Sequence, residues 1–304
     1  MPIVAVAFLL AAATAPMSTP APSPTRQPLS EAWWTGPMLA ASAGTLPQGH
    51  VLIEPYVYNT IAAHTNGWGS LSYLLYGLTN RLTVGAMPAI GYNAASNALS
   101  SSGVAFGDTT LIAQYGLTKF HLGSATPSTA VALQQSFPTG RYDNLGNRPS
   151  DGIGGGAYTT TLSLYTQTYF WMGNGRILRT RLDLSQAFSS TAGVHGVSVY
   201  GTPSNFSGTA QPGSSFFADA AGEYSISRNW VAALDLTYRL SGNTYVSGNA
   251  FQASSGTSVA YGLAPAVEYN MSADLGLLLG TRIIPKGRNT APSITPAIAV
   301  NYVR

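Results

Sequence analysis

Charged residues are few in this sequence, and many of them fall at every second position of short, otherwise apolar segments. In the segment 176–186, Arg179, Arg181 and Asp183 are interleaved with Leu178, Leu182 and other uncharged residues. Side chains two positions apart project from the same face of a strand, so these charges would share one face. Guanidinium and carboxylate groups gathered in this way either pair in a structural network or line a water-filled path and set its ion selectivity.

The same periodicity extends to the other segments, where the more apolar face is expected to point outward. Twelve charged residues then point inward, namely Glu54, Asp108, Arg179, Arg181, Asp183, Asp219, Glu223, Asp235, Arg239, Glu268, Asp274 and Arg282. Their mixed signs argue against strong selectivity for cations or for anions. We expect a narrow lumen, partly filled by side chains, with an inward-folded loop as a further filling element. The alternative of a plugged, purely structural network stays open.

The segments that must position these residues number twelve. They lie near 50–59, 69–79, 82–92, 106–117, 128–138, 156–170, 176–190, 214–226, 230–241, 256–269, 273–285 and 292–303. Short turns such as Asn80-Arg81 and Ser227-Arg228-Asn229 alternate with longer polar loops, at 60–68, 93–105, 139–155, 191–213, 242–255 and 286–291. Short turns at one end and long loops at the other, over an even strand count, are typical of outer-membrane barrels. The prediction is an all-β fold, an antiparallel up-and-down transmembrane β-barrel of about 12 strands.

The composition favours the same class. Only 8% of the 304 residues are charged, against about 25% in typical soluble domains. Beyond the N-terminus, no stretch offers the roughly 18 unbroken apolar residues of a transmembrane helix, which leaves a closed barrel as the membrane-compatible solution. The 14 basic and 11 acidic residues are dispersed, so no nucleic-acid partner is expected. There are no cysteines, which excludes disulfides and thiolate metal sites.

The N-terminal region divides into two parts. Residues 3–15 form a short apolar run that ends in Ala13-Thr14-Ala15, a pattern typical of signal-peptide cleavage. We predict a signal peptide over 1–21, a Pro-rich tether over 22–47 and the barrel over 48–304. Trp33 and Trp34 of the tether either dock on the barrel or lie at the membrane surface.

A tyrosine recurs before the short turns, in the pattern Tyr-x-apolar-Ser/Thr-x. Tyrosine and tryptophan prefer membrane interfaces, where the ring contacts lipid and the polar atom contacts headgroups. We therefore predict an aromatic girdle at the periplasmic side, made of Tyr76, Tyr115, Tyr224, Trp230, Tyr269 and Tyr302.

A catalytic site is not predicted. Some twelve-stranded outer-membrane barrels are lipid hydrolases with a signature similar to His-x-Ser-Asn-Gly, and this chain has His64-Thr65-Asn66-Gly67 without that serine. No nucleophile and base can be placed within hydrogen-bond reach. The other histidines, His50, His121 and His195, are dispersed, so we expect no metal site and no cofactor.

Three short motifs resemble one family of bacterial outer-membrane proteins, the transporters described for the MetA-pathway of phenol degradation. They are TLPQGH at 45–50 leading into VLIEPYVY, GDTTL at 107–111 followed by QYGL, and FPTG at 137–140. The resemblance covers 45–304 and implies an outer-membrane barrel proposed to pass hydrophobic or aromatic compounds. The family has no established catalytic residues to carry over to this chain. The terminal aromatic common in such barrels is replaced here by Tyr302 close to the end.

The sequence therefore predicts a bacterial outer-membrane channel or transporter for small solutes, including hydrophobic or aromatic ones. Its expected partners are outer-membrane lipid and a small-molecule solute. Two alternatives remain: a lipid-modifying enzyme of the outer membrane, and a structural or surface-interaction barrel whose loops carry the function.

Overall fold

The structure is a computed structural model that describes residues 25–249 and 251–304. Its main feature is one closed antiparallel barrel in which each strand pairs with the next and β12 pairs with β1, for example at Tyr56 and Ala299. The twelve strands, two of them interrupted, are β1 (Val51–Ile61), β2 (Thr65–Thr79), β3 (Leu82–Met87 and Ala89–Ala95), β4 (Ala105–Phe106 and Thr109–Thr118), β5 (Ser128–Phe137), β6 (Thr159–Trp171), β7 (Ile177–Ser189), β8 (Ser215–Ser225), β9 (Trp230–Ser241), β10 (Ser258–Asn270), β11 (Leu275–Ile284) and β12 (Ser293–Val303). The predicted fold class is confirmed.

Helical structure is minimal in the described ranges. It amounts to two single 3-10 turns, Leu29–Glu31 and Pro149–Asp151. None of the helices found there is long and apolar enough to cross a membrane. The predicted signal peptide, residues 1–21, lies outside the described residues.

The two interruptions lie side by side in the barrel wall. Pro88 separates the halves of β3, because proline has no N–H to give to the ladder. Its carbonyl still accepts the N–H of Ser72, at 3.2 Å, and Gly107 donates to Ala89 across the break in β4, at 2.8 Å. The wall thus stays continuous while Asp108 is released from the ladder.

The two faces of each strand differ as the alternation predicts. On β9, Leu234 and Leu236 are exposed on the outer face, the latter with 55% of its surface accessible, whereas Asp235 between them is fully buried. The outer face carries leucine, isoleucine and valine around the barrel, as a lipid-facing surface requires.

Aromatic side chains lie at the end of this apolar face that carries the short turns, which is the periplasmic end in outer-membrane barrels. Tyr76, Tyr115, Trp230 and Tyr269 are exposed there. The rings of Trp230 and Tyr269, which are cross-strand partners, have centroids 4.7 Å apart. Tyr224 and Tyr302 of the same predicted set are less exposed. The contact of all six predicted aromatic residues with the membrane interface stays a prediction.

The loops at the other end contain structure that the sequence did not indicate. The two regions predicted as the loops 191–213 and 242–255 form a four-stranded sheet from Ala192–His195, Ser207–Gln211, Tyr245–Gly248 and Phe251–Ser254. Val194, Phe206 and Val246 are buried in a small core beneath it. By contrast, the first predicted loop, 60–68, shrinks to residues 62–64, because the ladder of β1 and β2 continues to the pair Ile61 and Asn66.

We expect Leu236→Arg to reduce the free energy of unfolding by about 2–4 kcal/mol, because Leu236 is at the middle of β9 and faces lipid. Leu240→Arg, on the same face near the strand end, should cost about 0–1 kcal/mol. Urea unfolding in lipid vesicles measures both values. Equal costs for the two variants would contradict the assignment of the lipid-facing band.

Candidate functional site

The barrel lumen contains an N-terminal segment, residues 33–47, which we call the plug. It begins at the periplasmic end, where the N–H of Trp33 donates to the Arg228 carbonyl in the turn between β8 and β9, at 3.1 Å. It ends at the same side, where the Thr45 hydroxyl donates to the Asn80 carbonyl in the turn after β2, at 3.0 Å. The described part of the predicted tether, from residue 25 onward, is therefore fixed to the barrel. It supplies the inward-folded element that the sequence analysis expected from a loop.

Lumenal carboxylates bind the backbone of the plug. Asp235 on β9 accepts the N–H groups of Met38, Leu39 and Ala40, at 3.0, 3.3 and 3.0 Å. Asp183 on β7 accepts the next N–H, that of Ala41, at 2.6 Å. A segment without regular structure cannot satisfy its own N–H groups, and buried N–H groups need acceptors. Ionised carboxylates only accept hydrogen bonds, so they suit this task.

The same principle operates at both ends of the plug. Near its start, Glu268 on β10 accepts the N–H of Thr35, at 2.7 Å. Near its end, the hydroxyl of Thr83 on β3 accepts the N–H of Leu46, at 2.9 Å. Since β3 and β10 are on different sides of the barrel, the plug spans the lumen.

Glycines in the wall allow the plug backbone to approach closely. A side chain at Gly276 on β11 would overlap the hydroxyl of Thr35, and one at Gly77 on β2 would overlap the carbonyl oxygen of Pro47. Both positions are therefore matched to the plug in shape, in addition to the hydrogen bonds.

The two tryptophans of the predicted tether are docked on the barrel. The guanidinium of Arg179 lies over the ring of Trp34, 4.5 Å from its centroid. The guanidinium of Arg228 lies 5.3 Å from the ring of Trp33, in the periplasmic turn. Of the two locations considered for these residues, the structure shows the contact with barrel side chains.

A buried ion-pair cluster lies beside the plug. Glu223 on β8 accepts hydrogen bonds from the Nε of Arg179, at 2.6 Å, and from the Nε of Arg181, at 3.1 Å. Arg181 also donates to the carbonyl oxygen of Ala40 in the plug, at 2.7 Å. All three charged side chains are buried. This part of the charged set forms a structural network, in which removing one partner leaves a buried charge.

Two aspartates are adjacent in the neighbouring row. Asp219 on β8 is the cross-strand partner of Asp183 on β7 and is completely buried. Among the described residues, neither carboxylate oxygen of Asp219 has a hydrogen-bond partner. Together with Asp235, these residues place three carboxyl groups on neighbouring strands beside the plug.

Next to the plug lies a cavity of about 540 Å³. Side chains from every barrel strand except β10 and β11 contribute to its lining, which identifies it as the remaining lumen. Tyr56, Tyr73, Ile112 and Phe217 are among its apolar and aromatic residues, and Glu54, Gln134, Ser185 and Arg239 are among its polar ones. Glu54 accepts a hydrogen bond from Asn301, at 3.1 Å.

The predicted inward set thus separates into groups. Arg179, Arg181 and Glu223 form the ion-pair cluster, Asp183, Asp235 and Glu268 bind the plug, and Glu54 and Arg239 face the cavity. Arg282 on β11 buries its Nε without a hydrogen-bond partner among the described residues.

Two of the predicted positions need correction. Asp274 is exposed in the periplasmic turn, because β11 begins only at Leu275. Asp108 lies at the interruption of β4, where it accepts the N–H groups of Gly140, at 3.0 Å, and Gly155, at 2.8 Å. It therefore anchors the loop 139–155.

Further contacts tie this loop to its neighbours. The N–H and hydroxyl of Ser102 donate to Asp151, at 2.7 and 3.0 Å, and the backbone hydrogen bond holds the pKa of that carboxyl below its ordinary value. The Tyr200 hydroxyl donates to the Gly155 carbonyl, and burial raises the pKa of Tyr200 to about 12. These contacts are outside the barrel wall and define the loop end.

The histidine considered for catalysis lies in the short turn after β1. The Nδ1 of His64 is 3.3 Å from the Nδ2 of Asn97. Within the described ranges, no serine hydroxyl forms a hydrogen bond with the ring of His64. Nor do the described residues contain a group of three or more histidine or acidic side chains placed to hold a metal ion.

Comparisons with known proteins agree with this architecture. Residues 36–292 match the protein family described as "Putative MetA-pathway of phenol degradation". The chain belongs to this family. The resemblance carried by the three sequence motifs is thereby confirmed, and so is the assignment of this family member to the bacterial outer membrane.

Solved structures provide a further comparison for this family member. It is similar to the COG4313 outer membrane channel from Pseudomonas putida F1, at 15% identity and a TM-score of 0.65, over 88% of this chain and 100% of that one. A weaker similarity links it to the NanC porin, at 10% identity and a TM-score of 0.48, over 82% of this chain and 98% of that one. No curated protein sequence matches the chain. At 15% identity, the similarity to the COG4313 channel supports the fold alone.

We expect Asp235→Asn to loosen the plug, because an amide keeps one acceptor oxygen and turns two donors toward the N–H groups of Met38, Leu39 and Ala40. Hydrogen bonds to charged groups contribute about 1.5–3 kcal/mol, so protection of these amides from hydrogen exchange should fall about ten- to hundredfold.

Asp274→Asn is the matched control, since it removes an exposed carboxylate from the periplasmic turn. Its plug amides should exchange at the wild-type rate. Unchanged protection in Asp235→Asn would show that Asp235 does not hold the plug.

Proposed function

We propose that this protein is an outer-membrane channel for small solutes, including hydrophobic or aromatic ones, and that the plug restricts its path. The observation that carries the proposal is the lumenal cavity of about 540 Å³ beside the plug. This volume lies within the roughly 300–1,000 Å³ of typical small-molecule sites. A barrel whose interior served only as a core would fill this space with side chains.

The lining supports the class of solute. Tyr56, Tyr73 and Phe217 offer aromatic surface, whereas Ser185 and Gln134 offer hydrogen bonds. A solute with an apolar body and a polar group can satisfy both kinds of surface. Membership in the phenol-degradation family favours the same class.

The plug has a direct consequence for passage. It enters and leaves at the periplasmic end and contacts strands on different sides of the barrel. A solute that reaches the cavity from the loop end would leave through the periplasmic end only after the plug shifts. We therefore infer a restricted channel with low basal conductance rather than a wide pore.

We expect Ser185→Trp to reduce the single-channel conductance in planar lipid bilayers, because its side chain would fill part of the cavity. Leu184→Trp, at the adjacent outward position of β7, adds the same ring on the lipid side and should conduct as the wild type does. Folded wild-type protein that never produces conductance steps would overturn the channel proposal.

A further inference from the structure

A row of three lumenal residues crosses neighbouring strands near the loop end of the cavity. Ser185 on β7 is the cross-strand partner of Phe217 on β8, and Phe217 is the partner of Arg239 on β9. All three residues line the cavity. The row thus presents a hydroxyl group, a phenyl ring and a guanidinium side by side.

Arg239 differs from the other arginines of this wall. Arg179 and Arg181 are buried and paired with Glu223. Arg239 is exposed to the lumen and forms no salt bridge with any described residue. Its guanidinium lies over the ring of Phe217, 5.2 Å from the centroid, which holds the side chain in place and leaves its N–H groups available.

The nearby carboxylates do not neutralise Arg239. Asp235, four residues earlier on β9, accepts three N–H groups of the plug, and Asp183 accepts a fourth. Asp219, two residues after Phe217 on β8, forms no salt bridge with Arg239 among the described residues. An anion that enters the cavity therefore meets a positioned cation with free donors.

We propose that the row of Ser185, Phe217 and Arg239 is a binding site for small aromatic carboxylates. The carboxylate accepts two parallel N–H donors of the Arg239 guanidinium, a geometry that the planar fork favours. The aromatic body of the ligand packs against Phe217 and the apolar cavity wall. The Ser185 hydroxyl, which is 2.8 Å from the Ser163 hydroxyl, keeps hydrogen-bonding capacity for a polar ring substituent. This assignment rests on the proposed channel function, of which it names the solute class.

Isothermal titration calorimetry of the full-length, detergent-purified protein tests the site, with benzoate as the probe and benzamide as its uncharged counterpart. Wild-type protein should bind benzoate more tightly than benzamide. Arg239→Gln should weaken benzoate binding about ten- to hundredfold, because hydrogen bonds to charged groups are the strong ones, and leave benzamide binding unchanged. Lys286→Gln, which removes one positive charge from the exposed loop after β11, should bind both compounds as the wild type does.

The outcomes separate this site from the channel. The assignment is overturned if the wild type binds benzoate and benzamide with equal affinity. It is also overturned if Arg239→Gln binds benzoate as tightly as the wild type does. Both results hold even where bilayer recordings show a channel. Benzoate binding that depends on Arg239, in a protein that never conducts, instead supports the site and overturns the channel. Acetate that binds as tightly as benzoate overturns the aromatic part of the proposal.

Discussion

Buried backbone N–H groups need hydrogen-bond acceptors, and the interior of this barrel depends on that constraint. The wall satisfies its own backbone through the closed ladder. The plug has no partner strand, so side chains of the wall accept its N–H groups. Asp183, Asp235 and Glu268 accept its N–H groups at points spread over three strands. These three carboxylates, which the alternating sequence pattern assigns to the lumen lining, therefore bind the plug.

This division explains why the lumen combines a rigid part and an open part. Around the plug, carboxylates, arginines and glycines are matched to the backbone of residues 33–47. Elsewhere around the cavity, the wall presents Arg239, which forms no salt bridge with a described residue, together with an aromatic ring and hydroxyl groups. The barrel therefore offers a small cavity with its own chemistry instead of a continuous wide pore.

The strands could be predicted from the sequence because alternation, turn residues and loop lengths all act locally. The predicted segment 230–241 coincides with β9, and Asp235 and Leu236 point to opposite faces as expected. The plug could not be predicted in the same way. Residues 33–47 have no periodicity of their own, and the carboxylates that accept their N–H groups lie 142 to 233 positions away. Asp274 was misassigned for a simpler reason, since periodicity does not fix where a strand begins.

The attachment of the plug determines how it can move. Its last residue, Pro47, is joined to β1 by residues 48–50 alone, and Gly49 and His50 form backbone hydrogen bonds with Gly77 on β2. The plug is thus anchored beside the seam where the first and last strands of the barrel meet, and this end has no slack. Any withdrawal has to proceed from the N-terminal side, where Gln27 and Trp33 form hydrogen bonds with barrel turns, toward Thr45. A displaced plug stays covalently attached next to the lumen. Its effective concentration there is therefore high, which favours rebinding without any change in the barrel wall.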